Sequence, residues 1–157
     1  MKPGAANGKS GIGGALIAAI ALALAFSMEA SAASNLRAVP PEQLDHYWWM
    51  TNTQIDADVP NFGRNLEKPT CAAVTYEIGA DGVTRDIVVR RVVPAGDLGQ
   101  VAKSAVADLH YAPAPDNSAR EPVFTYIIMP FNLPPDPATR AKITAACKLA
   151  DFPAAYQ

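Results

Sequence analysis

Cys71-Ala72-Ala73-Val74-Thr75-Tyr76-Glu77-Ile78, then Gly79-Ala80-Asp81-Gly82-Val83, then Thr84-Arg85-Asp86-Ile87-Val88-Val89-Arg90-Arg91-Val92-Val93: the fold of this chain turns on how that stretch is read. In the first run Val74, Tyr76 and Ile78 share one side of an extended chain and Ala73, Thr75 and Glu77 the other, the period of a half-buried strand. Asp81-Gly82 suits a tight turn, because glycine takes positive φ at no steric cost. The β-branched run after it predicts a second strand, antiparallel to the first.

Downstream, Pro94, Ala95 and Gly96 break the strand, and Asp97 stands where a helix N-cap is expected. Leu98, Val101, Ala102, Ala105 and Leu109 then make one apolar stripe, with Gln100, Lys103, Ser104 and Asp108 toward the opposite side. Pro113 and Pro115 end that helix. After a polar loop at 116–120, Pro122 opens a third strand, Val123 to Phe131, with no charged residue between Pro122 and Leu133. Asp136 and Pro137 then suit the cap and first position of a last helix, whose expected buried face is Ile143, Ala146, Cys147 and Ala150. Pro153 stops it and leaves 152–157 as a loose tail.

The order strand, turn, strand, helix, strand gives an α+β fold of split β-α-β type. The expectation is a three-stranded antiparallel sheet in the spatial order second, first, third, with one packed helix, an N-terminal extension and a C-terminal helix. That topology sets the end of the third strand beside Cys71, and a helix leaving Pro135 can carry Cys147 back to it.

Upstream of the hairpin, residues 33–69 lack sustained alternation. Pro41 can open a helical turn or two with Leu44 and Trp48 on one side, and Tyr47-Trp48-Trp49-Met50 is the most aromatic patch of the chain. Core packing is the favoured reading of that patch, with sugar stacking by Trp48 and Trp49 as the rival.

Residues 1–32 read as an export signal. Lys2 and Lys9 lead an uncharged apolar run at 12–26, and Ala30-Ser31-Ala32 offers the small-x-small pattern of a cleavage site. The rival is an uncleaved anchor in the inner membrane. Cleavage after Ala32 leaves 157 − 32 = 125 residues, enough for one domain core. The whole chain has 13 basic and 15 acidic residues; losing Lys2, Lys9 and Glu29 leaves 11 and 14, a net −3. So weak an acidity leaves no electrostatic footprint for nucleic acid.

Two cysteines, Cys71 and Cys147, in an exported chain point to a disulfide. A metal site would enlist His46 and His110, but none of the four stands at a zinc-type short spacing. No Ser/His/Asp or Cys/His arrangement is evident, so neither catalysis nor a cofactor is expected.

The ordered series Val74-Thr75-Tyr76-Glu77-Ile78, Ala80-Asp81-Gly82, Asp86-Ile87-Val88-Val89, a helix with Lys103 and Ala105, Tyr111-Ala112-Pro113 and Pro130-Phe131-Asn132-Leu133 resembles the C-terminal domain of TonB, the periplasmic energy transducer. The resemblance covers residues 73–133 of a domain placed at 70–134, with 135–157 as helix and tail. It departs from the family at Asp108-Leu109-His110, where a Trp and a basic residue are usual, and at Lys68-Pro69-Thr70-Cys71, where a Tyr-Pro is usual. A long Pro/Lys/Glu spacer and a histidine within the hydrophobic segment are also missing.

The resemblance implies a periplasmic protein-binding module. Its third strand would accept an extended segment of an envelope protein or outer-membrane receptor as an added strand, along Val123, Thr125, Ile127, Met129 and Phe131. The alternatives are a structural envelope protein that self-associates as a homodimer through this edge, and an inner-membrane-anchored energy transducer. The membrane would be touched only through an uncleaved signal.

Overall fold

The computed structural model describes residues 36–156 except Thr53, so the expected signal at 1–32 lies outside the described residues. The strands and helices are β1 (Arg37–Ala38), a 3-10 helix (Pro41–His46), β2 (Trp48–Met50), β3 (Thr70–Ile78), β4 (Thr84–Val93), α1 (Leu98–Ala107), β5 (Tyr111–Pro113), a 3-10 turn (Pro115–Asn117), β6 (Val123–Phe131) and α2 (Pro137–Ala146). All belong to one compact unit, Ser34–Gln157.

The fold is α+β, and its main sheet has four strands in the order β1-β6-β3-β4 rather than the three expected. The extra strand is β1, which pairs in parallel with the start of β6, Arg37 beside Val123 and Ala38 beside Phe124. Arg37 Nε donates to Glu121 at 2.8 Å and its guanidinium lies over the Tyr47 ring, which pins so short a strand in place. A second, two-stranded sheet joins β2 to β5, so Trp48 begins a strand instead of continuing a helix with Leu44. Trp48 is buried and its Nε1 donates to the Glu121 carbonyl, the indole N–H partner that a buried Trp needs. Trp49 is half exposed, with Nε1 bonded to the Asp45 carbonyl.

The hairpin of β3 and β4 turns through Gly82, whose φ is +80° and whose added Cβ would meet the Tyr111 carbonyl oxygen. Only glycine suits that position. On one face of β3, Ala72, Val74, Tyr76 and Ile78 pack with Ala102, Val106 and Leu109, joined by Val39, Trp48 and Val123. Tyr76 and Tyr111 hydrogen-bond through their hydroxyls at 2.7 Å inside this core. Burial raises both phenol pKa values, well above the ordinary range for Tyr76.

β3 is not half-buried. Ala73 and Thr75 are as enclosed as Val74, because the opposite face carries a second core of Cys71, Ala73, Tyr126, Cys147 and Leu149. Small side chains on that face let the C-terminal region settle close to the sheet. Cys71 and Cys147 form a disulfide across 76 positions of sequence, with Cα atoms 5.9 Å apart.

The C-terminal region departs from expectation in two ways. The helix ends at Ala146, so its period does not extend to Ala150; Ala146 and Ala150 are exposed while Cys147 and Leu149 are buried. The tail is held, because Phe152 packs on Phe124 and Tyr126 and Arg90 donates to the Tyr156 carbonyl. Asp136 caps α2 as expected, accepting from the Thr139 N–H, and the Thr139 side chain, followed by that N–H, lowers its carboxyl pKa. Asp97 does not cap α1: its backbone is already helical, and its carboxylate instead accepts from the Arg64 N–H, tying the preceding loop to the helix start.

Candidate partner-binding edge

The main sheet has two flanks of different character. β4 pairs with β3 through two register shifts, one between Ala73 and Val74 and one between Thr75 and Glu77. The first leaves Arg90 as an extra residue on β4, and the second falls at Asp86, whose φ is +49°. Bulges of this kind twist an edge and interrupt its ladder. They also re-aim side chains: Arg90 reaches Thr75 Oγ1 at 2.8 Å and Arg91 reaches the Ala146 and Lys148 carbonyls past the end of α2. These arginines, whose charge discourages strand addition at an edge, therefore also fasten the C-terminal region to the sheet.

β6 pairs with β3 in unbroken register from Thr70 opposite Phe131 to Ile78 opposite Val123. On its outer side, β1 covers only Val123 and Phe124. The Phe124 carbonyl accepts from the Val39 N–H, so the backbone groups of Phe124 point away from β3. Backbone direction alternates along a strand. Tyr126 and Ile128 therefore also present N–H and C=O outward, as does the Pro130 carbonyl. Pro130 has no N–H to offer, and its ring nitrogen lies on the outer side, where proline is tolerated in a sheet.

The sequence singled out Val123, Thr125, Ile127, Met129 and Phe131. Val123, Ile127, Met129 and Phe131 belong to the α1-side core, and Thr125 lies opposite Tyr76 on the same face. Thr125 is wholly enclosed, and among the described residues its hydroxyl has no hydrogen-bond partner. The structure thus brings the five together as a packed row, while the alternate set of Tyr126, Ile128 and Pro130 carries the outward backbone.

On the α2 side of this edge lies an open groove of about 530 Å³. Ile128, Pro130 and Leu133 form one wall, and Arg140, Thr144 and Lys148 are on the other. Arg140 and Thr144 fall one turn apart on α2 and Lys148 follows just past its end, which aligns them. The 3-10 helix Pro41–His46 also packs against β6, and its Glu42 carboxylate stands 3.9 Å from Lys148 Nζ, both side chains well exposed.

The other residues weighed from the sequence do not converge. His46 lies beside Asp45 on the surface, and His110 is exposed with its backbone N–H bonded to Asn52. Both cysteines are in the disulfide, and no group of three His, Cys, Asp or Glu among the described residues is placed to hold a metal. No family model, curated protein or solved structure matches this chain. The geometry of the edge therefore has to carry the functional reading. No helix among the described residues is long and apolar enough to cross a membrane.

Proposed function

We propose that this chain is an exported binding module that takes an extended segment of an envelope protein onto the outer side of β6, between Tyr126 and Phe131. The observation that carries the reading is the outer ladder of β6, which β1 occupies only as far as Phe124 while the facing ladder to β3 continues to Phe131. Outward backbone donors and acceptors on a regular strand give an added strand its affinity, and neighbouring side chains give selectivity. The resemblance of residues 73–133 to the TonB C-terminal domain points to the same strand and to a periplasmic setting, and the disulfide suits an exported protein. In this reading the chain binds without catalysing a reaction and without a cofactor.

The test is photo-crosslinking in intact envelopes from a benzoylphenylalanine placed at the exposed Pro130, in the parent and in Ile128→Pro. Ile128→Pro removes an outward N–H and leaves the bonds to β3 in place. Adducts to a defined segment of another envelope protein that disappear in the variant are expected. Adducts only to a second copy of the chain would assign the edge to self-association, and adducts unchanged in Ile128→Pro would remove strand addition from the account.

A further inference from the structure

Among the described residues seven large hydrophobic side chains are exposed, and five of them, Trp49, Met50, Ile55, Val59 and Phe62, fall within 49–62. Singly exposed apolar side chains are ordinary, whereas their concentration in one segment marks a surface that meets something. Val59 is 66% exposed and Phe62 89%. The loop that carries them is nonetheless held in place. The Asp56 N–H donates to Asp108 Oδ2 at 2.9 Å, the Asp58 N–H to Ser104 Oγ at 2.9 Å and the Arg64 N–H to Asp97 Oδ2 at 2.6 Å. Asp97 and Asp108 stand at the two ends of α1 and Ser104 within it, so the helix seats the loop by its backbone and leaves Ile55, Val59 and Phe62 in water.

Two open depressions lie between this loop and α1. Val59, Pro60 and Phe62 line the first, of about 470 Å³, together with Gln100. Asp56, Ser104, Ala107 and Asp108 line the second, of about 350 Å³. Asp58 borders both, and Gln100 and Ser104 are one helical turn apart. An apolar depression and an acidic one are thus neighbours. The charge of the surface is of one sign: from Tyr47 to Gly63 the chain has Asp56 and Asp58 and no base. Asp97 and Asp108 add two carboxylates, against Lys103 alone on α1. Among the described residues none of these four carboxylates is in an ion pair.

We propose that this face is a second docking surface, for a segment of a partner protein that sets an apolar side chain among Val59, Pro60 and Phe62 and a Lys or Arg one helical turn away, between Asp56, Asp58 and Asp108. It uses none of the residues of the β6 edge and does not depend on strand addition there. Complementary charge selects the occupant. A second copy has no such segment to offer. Its other exposed large hydrophobics among the described residues are Val88 and Val93 on β4. The arginines beside them are engaged, Arg85 by Asp81, Arg90 by Thr75 and Tyr156, and Arg91 by the carbonyls past α2. α2 carries Arg140 and Lys142 without an exposed large apolar side chain. A bilayer surface presents anionic headgroups, which the same carboxylates repel.

The test is photo-crosslinking in intact envelopes from a benzoylphenylalanine at Phe62, with the adducts mapped by mass spectrometry. It is run in the parent, in Val59→Ser and in Asp56→Asn combined with Asp58→Asn. These side chains are exposed, so the denaturant midpoint of each variant should match the parent. The adducts should map to a segment of another protein with a Lys or Arg about three or four positions from the attachment point in a helix, or about two in a strand. Adduct yield should fall about fivefold in the Asp56, Asp58 double variant, as two exposed charge contacts predict. It should fall similarly in the parent at about 1 M salt, where the Debye length is about 3 Å. Val59→Ser should lower it about threefold through lost apolar contact. Ile128→Pro, which is expected to remove adducts at Pro130, should leave these adducts unchanged, so the two readings fail separately. Adducts only to a second copy or to lipid, or no adducts, would overturn the proposal. A mapped segment without Lys or Arg would overturn it, as would a yield that neither salt nor the double variant lowers. A Val59→Ser variant with a lowered midpoint and an unchanged yield would make the exposed row part of the fold instead.

Discussion

β4 and β6 flank the same central strand, yet they handle the exposed edge of a sheet in opposite ways. β4 is bulged at Arg90 and at Asp86, and its arginines fold over the sheet toward Thr75, the end of α2 and Tyr156. β6 keeps perfect register with β3, and its outer ladder is paired only by a strand of two residues, after which the 3-10 helix Pro41–His46 packs against it without adding to the ladder. Bulges, charge and short covering strands are the usual ways to keep an edge from pairing. The chain applies the first two to one flank and spends only the third, in part, on the other. An open edge is a liability unless something covers it, and the difference between the flanks is what the role proposed for β6 rests on.

The largest effect on this contrast should come from the disulfide, which holds the α2 wall of the β6 groove in place. Replacing Cys71 and Cys147 together by serine releases a constraint across 76 positions, and chain entropy puts the cost at roughly 4 kcal/mol. A denaturant midpoint unchanged from the parent would show that packing alone seats α2. Thr125→Val comes next, with the opposite sign. It removes a buried hydroxyl that has no partner among the described residues and keeps the side-chain shape, so stability should rise by about 1 kcal/mol. Peptide affinity at β6 should not move, because Thr125 faces the core beside Tyr76. A loss of stability would show that the hydroxyl is bonded.

On the other flank, Arg91→Ala should cost about 0.5 kcal/mol by freeing the carbonyls at the end of α2, read as faster amide exchange near Cys147 and Lys148. Unchanged exchange would leave Arg91 as edge charge alone. The smallest effect concerns Glu77, on β3 opposite Arg85. Burial, then the neighbouring Asp86 carboxylate, raises its pKa above the ordinary 4.5. A carboxyl with a raised folded-state pKa binds more protons in the folded protein. Its contribution is therefore favourable at low pH and falls as pH rises through the ordinary value toward the raised one. Glu77→Gln should flatten the stability profile in that window and gain slightly at neutral pH, as measured by thermal unfolding from pH 3 to 7 (about the range of carboxyl titration). A profile identical to the parent would discharge Glu77 from it.

How much of this was legible in the sequence depends on whether the signal was local. The alternation Val74-Tyr76-Ile78, the turn at Asp81-Gly82 and the stripe beginning at Leu98 each state their own structure within a few residues, and each is present, although α1 stops at Ala107, short of Leu109 and of the prolines expected to end it, because Tyr111–Pro113 pairs with β2. β1, β2 and β5 are two or three residues long, too short to show a period, and exist because distant partners meet. The second core was hidden for a similar reason: Ala73 and Thr75 look like a solvent face until Cys147 and Leu149 are brought over Ala73 and Arg90 reaches Thr75. For the candidate edge, the strand Val123 to Phe131 was readable and its orientation was read by side chain. Pro130 held the missing information. A proline within a strand places its nitrogen on the unpaired side, so Pro130, Ile128 and Tyr126 could have been assigned the outward backbone from sequence. The groove was not readable, since the disulfide was expected but the termination of α2 at Ala146, just before Lys148, was not.

Pro130 has one more consequence, for growth rather than recognition. An edge that offers donors at Tyr126 and Ile128 and then only a carbonyl gives an added strand a short zipper with a built-in end. A copy pairing through its own β6 would meet the same missing hydrogen and, with the other side of that strand held by β3, would offer no new β6 edge for a further copy. In the proposed reading, with so few backbone bonds to break, an added strand would leave quickly and return the edge for the next encounter.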